Sequence, residues 1–149
     1  MKKIVLLILV TVLALSMFAG CASKRLDLET TMEKIYEGSN TEFPVVTNVI
    51  NEENEGYYFN GVQVDYEYAI ASDAMMSAIP HTICLINLKN AKDAKDVADE
   101  LVKNADPRRW ICVEVAEEDI VAEAIGSTVV FIMSENSEVY LENFKNAAK

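Results

Sequence analysis

Two apolar runs, residues 120–125 and 128–133, are separated only by Gly126-Ser127. No other feature of the chain limits its folding choices so tightly. Each run has the length of a strand, and two residues leave no room for a crossover. Gly at the first central position supplies the positive φ of a type II′ turn, so the pair is expected to form an antiparallel hairpin. Upstream, Val62, Val64, Tyr66, Tyr68 and Ile70 alternate with Gln63, Asp65, Glu67, Ala69 and Ala71, the pattern of a strand with one buried face. That alternation places Tyr66 and Tyr68 together in a core. Residues 82–88 are apolar on both faces around Cys84, which suits a central strand. The short connection 73–80 makes that strand antiparallel to the one before it. Ile111, Val113 and Val115 resume the alternation after the only Trp.

Other segments carry a helical period. Leu28, Met32, Ile35 and Tyr36 recur at i, i+4, i+7 and i+8, and Gly38 follows as a stop. Asn90 can cap a second helix with Asp93 at its third position, and Ala94, Val97, Ala98, Leu101, Val102 and Ala105 form its apolar stripe. Asp106-Pro107 breaks that run, because a residue before proline avoids helical geometry, though Asp then Pro can also open a new turn carrying Arg108, Arg109 and Trp110. Ser134 is expected to cap a last helix with Tyr140, Leu141, Phe144 and Ala148 on one face, while Lys145 and Lys149 complement its dipole. Within residues 39–61, rich in Asn and Glu around Pro44, the apolar Val45, Val46, Val49 and Ile50 suggest a further short helix. The expected fold is α+β, a small antiparallel sheet of about four or five strands packed against two or three helices.

The first residues have a different purpose. Lys2-Lys3, the apolar run 4–18 and Ala19-Gly20-Cys21 have the order of an export leader: charged region, apolar region, small residues before a cut. The run is about 15 residues, short of the roughly 20 that cross a bilayer as a helix, which argues against a permanent span. Phe18-Ala19-Gly20-Cys21 resembles the lipobox of bacterial lipoproteins, in which the cysteine is acylated and the leader is cut just before it. Phe18 stands where that family usually has Leu, and Gly20 with Ala22 forms a competing pair for ordinary cleavage. The expected organisation is a signal peptide over 1–20, then a lipid anchor, tether and helical segment over 21–61, and an α+β domain over 62–149. The tether proper covers residues 22–25. Diacylglyceryl and an amide-linked chain on Cys21 would hold the protein to a membrane at ~0.8 kcal/mol per buried methylene.

Charge narrows the partners. Thirteen basic residues less Lys2 and Lys3, against twenty-four acids, leave −13 on residues 21–149. Nucleic acid is a poor partner for such a chain, since phosphate binding needs a basic stripe and Arg108-Arg109 is no more than a pair. A solvated acidic surface that confers solubility is the simplest account. The acidic runs 52–55 and 117–119 lack the alternating ligands and central Gly of an EF-hand, and no metal or cofactor is expected. His81 is the only histidine, has no orienting partner in view, and is expected to be structural or exposed. Cys84 and Cys112 lie in apolar stretches, where they either pack as small hydrophobes or pair as an exported disulfide.

Two clusters stand out as candidate contact residues. Tyr57, Tyr58 and Phe59, set between Gly56 and Asn60-Gly61, can present aromatics on a loop. Arg108, Arg109 and Trp110 can offer an anchor beside cations for a carboxylate or other anion. The plainer alternative puts Trp110 in the core and both arginines against acidic neighbours.

Three stretches carry a family likeness: the apolar strand before Asn90-Ala91-Lys92-Asp93-Ala94, the helix leading to Trp110, and residues 125–134 before the final helix. In this order, across roughly eighty residues, the chain resembles the domain of unknown function 4358 family, small lipoproteins of Firmicutes bacteria. Ile111-Cys112 departs from that family, which has an aromatic shortly after the Trp. The resemblance implies a surface lipoprotein and supplies no catalytic residues. The expected function is therefore a noncatalytic, membrane-anchored extracytoplasmic module that binds or scaffolds another envelope component, a protein above all. The alternatives are a small-molecule or cation binder serving a membrane transporter, and a hydrolase acting on envelope material.

Overall fold

The computed structural model describes residues 24–149, so the leader and Cys21 lie outside the described residues. Helix α1 (Leu28–Tyr36) is followed by strand β1 (Val45–Val49), the short helix α2 (Glu55–Phe59), strands β2 (Tyr66–Ala74) and β3 (His81–Leu88), helix α3 (Ala94–Lys103), strands β4 (Ile120–Ile125) and β5 (Thr128–Ser134), and helix α4 (Ser137–Ala147). The strands form one sheet in the order β1-β2-β3-β5-β4, antiparallel throughout. The chain is α+β as its sequence predicts.

The hairpin is where the two-residue link demands it. Ile125 pairs with Thr128, and φ is positive at Gly126 and not at Ser127, as a type II′ turn requires. Strands β3 and β5 are buried along their whole length, which needs a helical layer on each face. On one face, α1 and α4 lay Leu28, Met32, Ile35, Tyr140 and Phe144 over Ile70, Ile83, Leu85, Val130 and Ile132. On the other, α2, α3 and residues 105–116 cover Ala69, Ala71, Cys84, Ile86, Val129, Phe131 and Met133. Alternate residues of each central strand therefore feed two separate cores. Each fully buried large side chain contributes roughly 1.5–3 kcal/mol through apolar area removed from water.

Several local expectations are overturned, each by a tertiary contact. Val45, Val46 and Val49 form an edge strand instead of a helix: their β-branched side chains suit a pleated surface, and β2 supplies the ladder from Ala74 to Ile70. The strand expected from Val62 starts only at Tyr66, because its partner β3 ends at Leu88. Val62 and Val64 instead pack against the side of the core. A register shift between Tyr66 and Tyr68 then separates the two tyrosines. Tyr66 stacks edge-on to Phe59 beneath α2, whereas Tyr68 emerges on the opposite face and donates to Glu29 at 2.7 Å.

Asn90 caps a 3₁₀ turn, accepting from the Lys92 N–H at 3.1 Å, and the α-helix proper begins at Ala94. Val102, expected on the buried stripe, is exposed. Ile111, Val113 and Val115 make no strand: Cys112 has a φ of 66°, which turns the chain, and Ile111 projects into solvent. Ser134 ends β5, and Asn136, left-handed at φ 64°, stands at the N-cap position without a side-chain capping bond. Both cysteines are free, Cys84 buried and Cys112 exposed. Lys24 and Arg25, expected within a tether, are seated on the domain: the Lys24 carbonyl accepts from the Ser127 N–H at 3.2 Å, and Arg25 donates to the Leu88 carbonyl at 3.0 Å. None of the helices among the described residues is long and apolar enough to cross a membrane.

Candidate functional site

Asp73 and Thr82 face each other across the β2–β3 ladder, near the end of the sheet farthest from the Gly126 turn. Thr82 donates its hydroxyl to Asp73 Oδ1 at 2.6 Å, and Tyr58 donates to Asp73 Oδ2 at 2.7 Å. Asp73 is thereby the polar post that holds α2 to the sheet. Burial, and next the hydrogen bond to that carboxylate, push the Tyr58 phenol well above its ordinary pKa. Its proton stays in place and keeps donating.

Helix α2 is one and a half turns long, so the ~100° between successive residues sends its three aromatics in three directions. Phe59 goes into the core, Tyr58 lies against the sheet, and Tyr57 stands half-exposed at 48 %. Asn60 and Gly61, both at positive φ, end the helix there.

The loop after α3 brings the second cluster to the same place. The Arg108 backbone N–H donates to the Asp106 carboxylate at 3.0 Å, and the Val115 N–H closes the loop on the Pro107 carbonyl at 3.0 Å. Arg109 then lies inward, its Cζ 4.2 Å from the Tyr57 ring centre, 5.2 Å from that of Trp110 and 5.7 Å from that of Tyr58. Its Nη2 donates to Thr82 Oγ1 at 3.2 Å, and its Nη1 reaches Met133 Sδ at 3.7 Å. Such ring contacts contribute about 0.5–2 kcal/mol, more as water is excluded. The Asp73 carboxylate is reached only through the Thr82 hydroxyl. No ion pair among the described residues includes Arg109, and its buried Nε has no acceptor.

Of the six residues singled out in the sequence, Tyr57, Tyr58, Arg109 and Trp110 are thus gathered at one corner. Phe59 belongs to the core, and Arg108 points away to Glu114 at 2.7 Å. The expectation that both arginines balance acidic neighbours holds for Arg108 alone. Near the corner lie exposed apolar residues, of which sequence reasoning missed Val46. Val46 sits beside Asp73 in the β1–β2 register and is 42 % exposed, while Met75 and Met76 follow directly after β2 at 64 % and 48 %. Val46 escaped notice because its segment read as a helix. A single-sequence pattern has no signal for which side of an edge strand stays bare.

Farther along the same end of the sheet, His81 is fully buried between two hydroxyls. Its Nε2 lies 2.7 Å from Tyr36 Oη and its Nδ1 2.7 Å from Ser134 Oγ, while Tyr36 donates to Ser72 at 2.8 Å. Phe43 stacks edge-on at 4.9 Å. Burial lowers the His81 pKa to about 4 against a smaller opposing pull from Asp73, so the ring is neutral near pH 7. Beside it opens a cleft of about 340 Å³ lined by Thr41, Phe43, Pro80, Ser134 and Tyr140, in which Thr41 and Tyr140 share a hydrogen bond of 2.9 Å. No family model, no curated protein and no solved structure matches this chain.

Proposed function

We propose that this chain is a lipoprotein of the bacterial envelope, anchored outside the membrane through Cys21, whose domain acts as a noncatalytic binding module for another envelope protein. The leader and the cysteine that closes it support the anchor. The observation that carries the binding role is the convergence of exposed Tyr57 and half-buried Trp110 on an Arg109 without a direct ion pair, with buried Tyr58 behind them and exposed Val46, Met75 and Met76 nearby. Aromatic and Arg side chains within an apolar rim are the side-chain types that dominate interface energies. With −13 on residues 21–149, a half-buried guanidinium without a direct ion pair suits a carboxylate of the partner flanked by apolar groups. The test is crosslinking in native membranes with the intact protein, beside Arg109→Ala, Tyr57→Ala and, as a control elsewhere, Lys103→Ala. A defined product that weakens at least about tenfold with the first two and not the third supports the role, an effect of the size expected for interface anchors. Equal yield from all four sinks it.

A second reading has its own observation in the hydroxyl-lined cleft beside His81, whose size suits a small uncharged polar ligand. A thermal shift with polyols or sugars that disappears in Tyr140→Phe would favour it, and no shift across such a panel would remove it.

A further inference from the structure

The described chain is fastened to the domain from its first residue. The Lys24 carbonyl accepts from the Ser127 N–H, its ammonium reaches the Ala148 carbonyl, Arg25 pairs with Glu67, and Leu26 is buried with its N–H on Thr128 and its carbonyl on Asn87. Gly126 shows how close this seat is, since a Cβ there would overlap the Lys24 carbonyl. All these contacts lie at the end of the sheet where β3 finishes and β5 begins. We propose that lipid on Cys21 stands the domain on this end, making the bilayer surface its partner and presenting the Arg109 corner and the His81 cleft away from the membrane.

This inference rests on the lipoprotein reading and adds an orientation to it. Only Ala22 and Ser23 separate Cys21 from Lys24, and three Cα steps span at most ~11 Å. Strand β2, nine residues long, runs from this end to the other and covers roughly 30 Å, so Lys24 and Asp73 are held at very different heights. The domain has no slack with which to turn over.

Charge supports the same orientation. Around the seat, Lys24, Arg25, Lys89, Lys92 and Lys149 meet Asp27, Glu29, Asp65, Glu67 and Asp93, which leaves the end neutral. The remainder of residues 21–149 then carries the whole −13. Anionic headgroups repel the remainder within a Debye length of ~10 Å, and the seat is the part they tolerate at contact.

Depth-dependent quenching tests the orientation on the lipidated protein. In a Cys112→Ser background, where Cys84 is buried, a fluorophore is placed on Lys92→Cys or on Met76→Cys, and the protein is reconstituted in phosphatidylglycerol–phosphatidylethanolamine vesicles containing headgroup-nitroxide lipid. Quenching several-fold stronger at position 92 than at 76 is expected. Inserting a ten-residue Gly-Ser segment between Ser23 and Lys24 should then shrink that difference. Equal quenching at the two positions, or stronger quenching at 76, in protein whose mass shows the lipid would overturn the orientation and leave the anchor standing. A chain without lipid mass, released from membranes as freely as its Cys21→Ala form, would overturn both.

Discussion

Gly126 satisfies two demands that few side chains could meet. Its φ of 62° lies in the left-handed region, and the space where a Cβ would stand is taken by the Lys24 backbone. Gly126→Ala should therefore lower stability by about 1–2 kcal/mol from the backbone alone, with a further loss as residues 24–26 are displaced. A urea midpoint measured beside wild type checks this, and an unchanged midpoint would overturn both the backbone cost and the Lys24 seat. His81 makes a pH prediction whose sign follows from burial. Its folded pKa, about 4, is below the ordinary 6.5, so the unfolded chain binds the extra proton more readily. Stability from this residue is fully present above pH 6.5 and is lost as pH falls toward 4, by roughly 3 kcal/mol in all. Tyr36, Tyr140 and Asp73 face the same ring. The decline in urea midpoint between pH 7 and 4.5 should accordingly be shallower in His81→Gln than in wild type. Nothing in the local sequence marks His81 as buried, because Tyr36 and Ser134, which satisfy its nitrogens, come from 45 positions before and 53 after.

Helix α3 shows how far periodicity reaches at the scale of an element. Ala94, Ala98 and Leu101 are buried, on the face their spacing assigns, whereas Val102 lies one residue further round and is 37 % exposed. Leu101→Ala should cost about 2–5 kcal/mol through the cavity it leaves. Val102→Ala should stay within about 0.5 kcal/mol of wild type, since little packing is lost and Ala is the better helix former. Thermal melts of the two variants decide this; equal losses would return Val102 to the core. The hairpin β4–β5 was legible for a similar reason, all its determinants lying within fifteen consecutive residues. Strand β1 was not, because its pairing with β2 joins residues more than twenty positions apart and five residues are too few to establish a period.

For the whole molecule, self-repulsion is the dominant long-range term. Residues 21–149 carry −13, and the ion pairs on the surface are mostly well exposed, so each contributes little. Raising salt from ~0.01 M to ~0.3 M should raise the urea midpoint of the domain, because the screening length falls well below the molecular diameter. A midpoint that drops with salt would mean that local pairs outweigh the net charge. The two clusters Tyr57-Tyr58-Phe59 and Arg108-Arg109-Trp110 were visible in the chain as aromatic and cationic residues, yet their meeting was not. About fifty residues separate them, and a three-dimensional turn of α2 decides that Tyr57 faces Arg109 while Phe59 is withdrawn. By itself the sequence determined the α+β class, the hairpin and the helical stripes, since these follow from side-chain period and turn chemistry within short windows. The tertiary structure alone decided that β1 is a strand, that the bulge parts Tyr66 from Tyr68, and that Arg109 meets Asp73 only through Thr82, because each depends on which distant backbone or side chain arrives as neighbour.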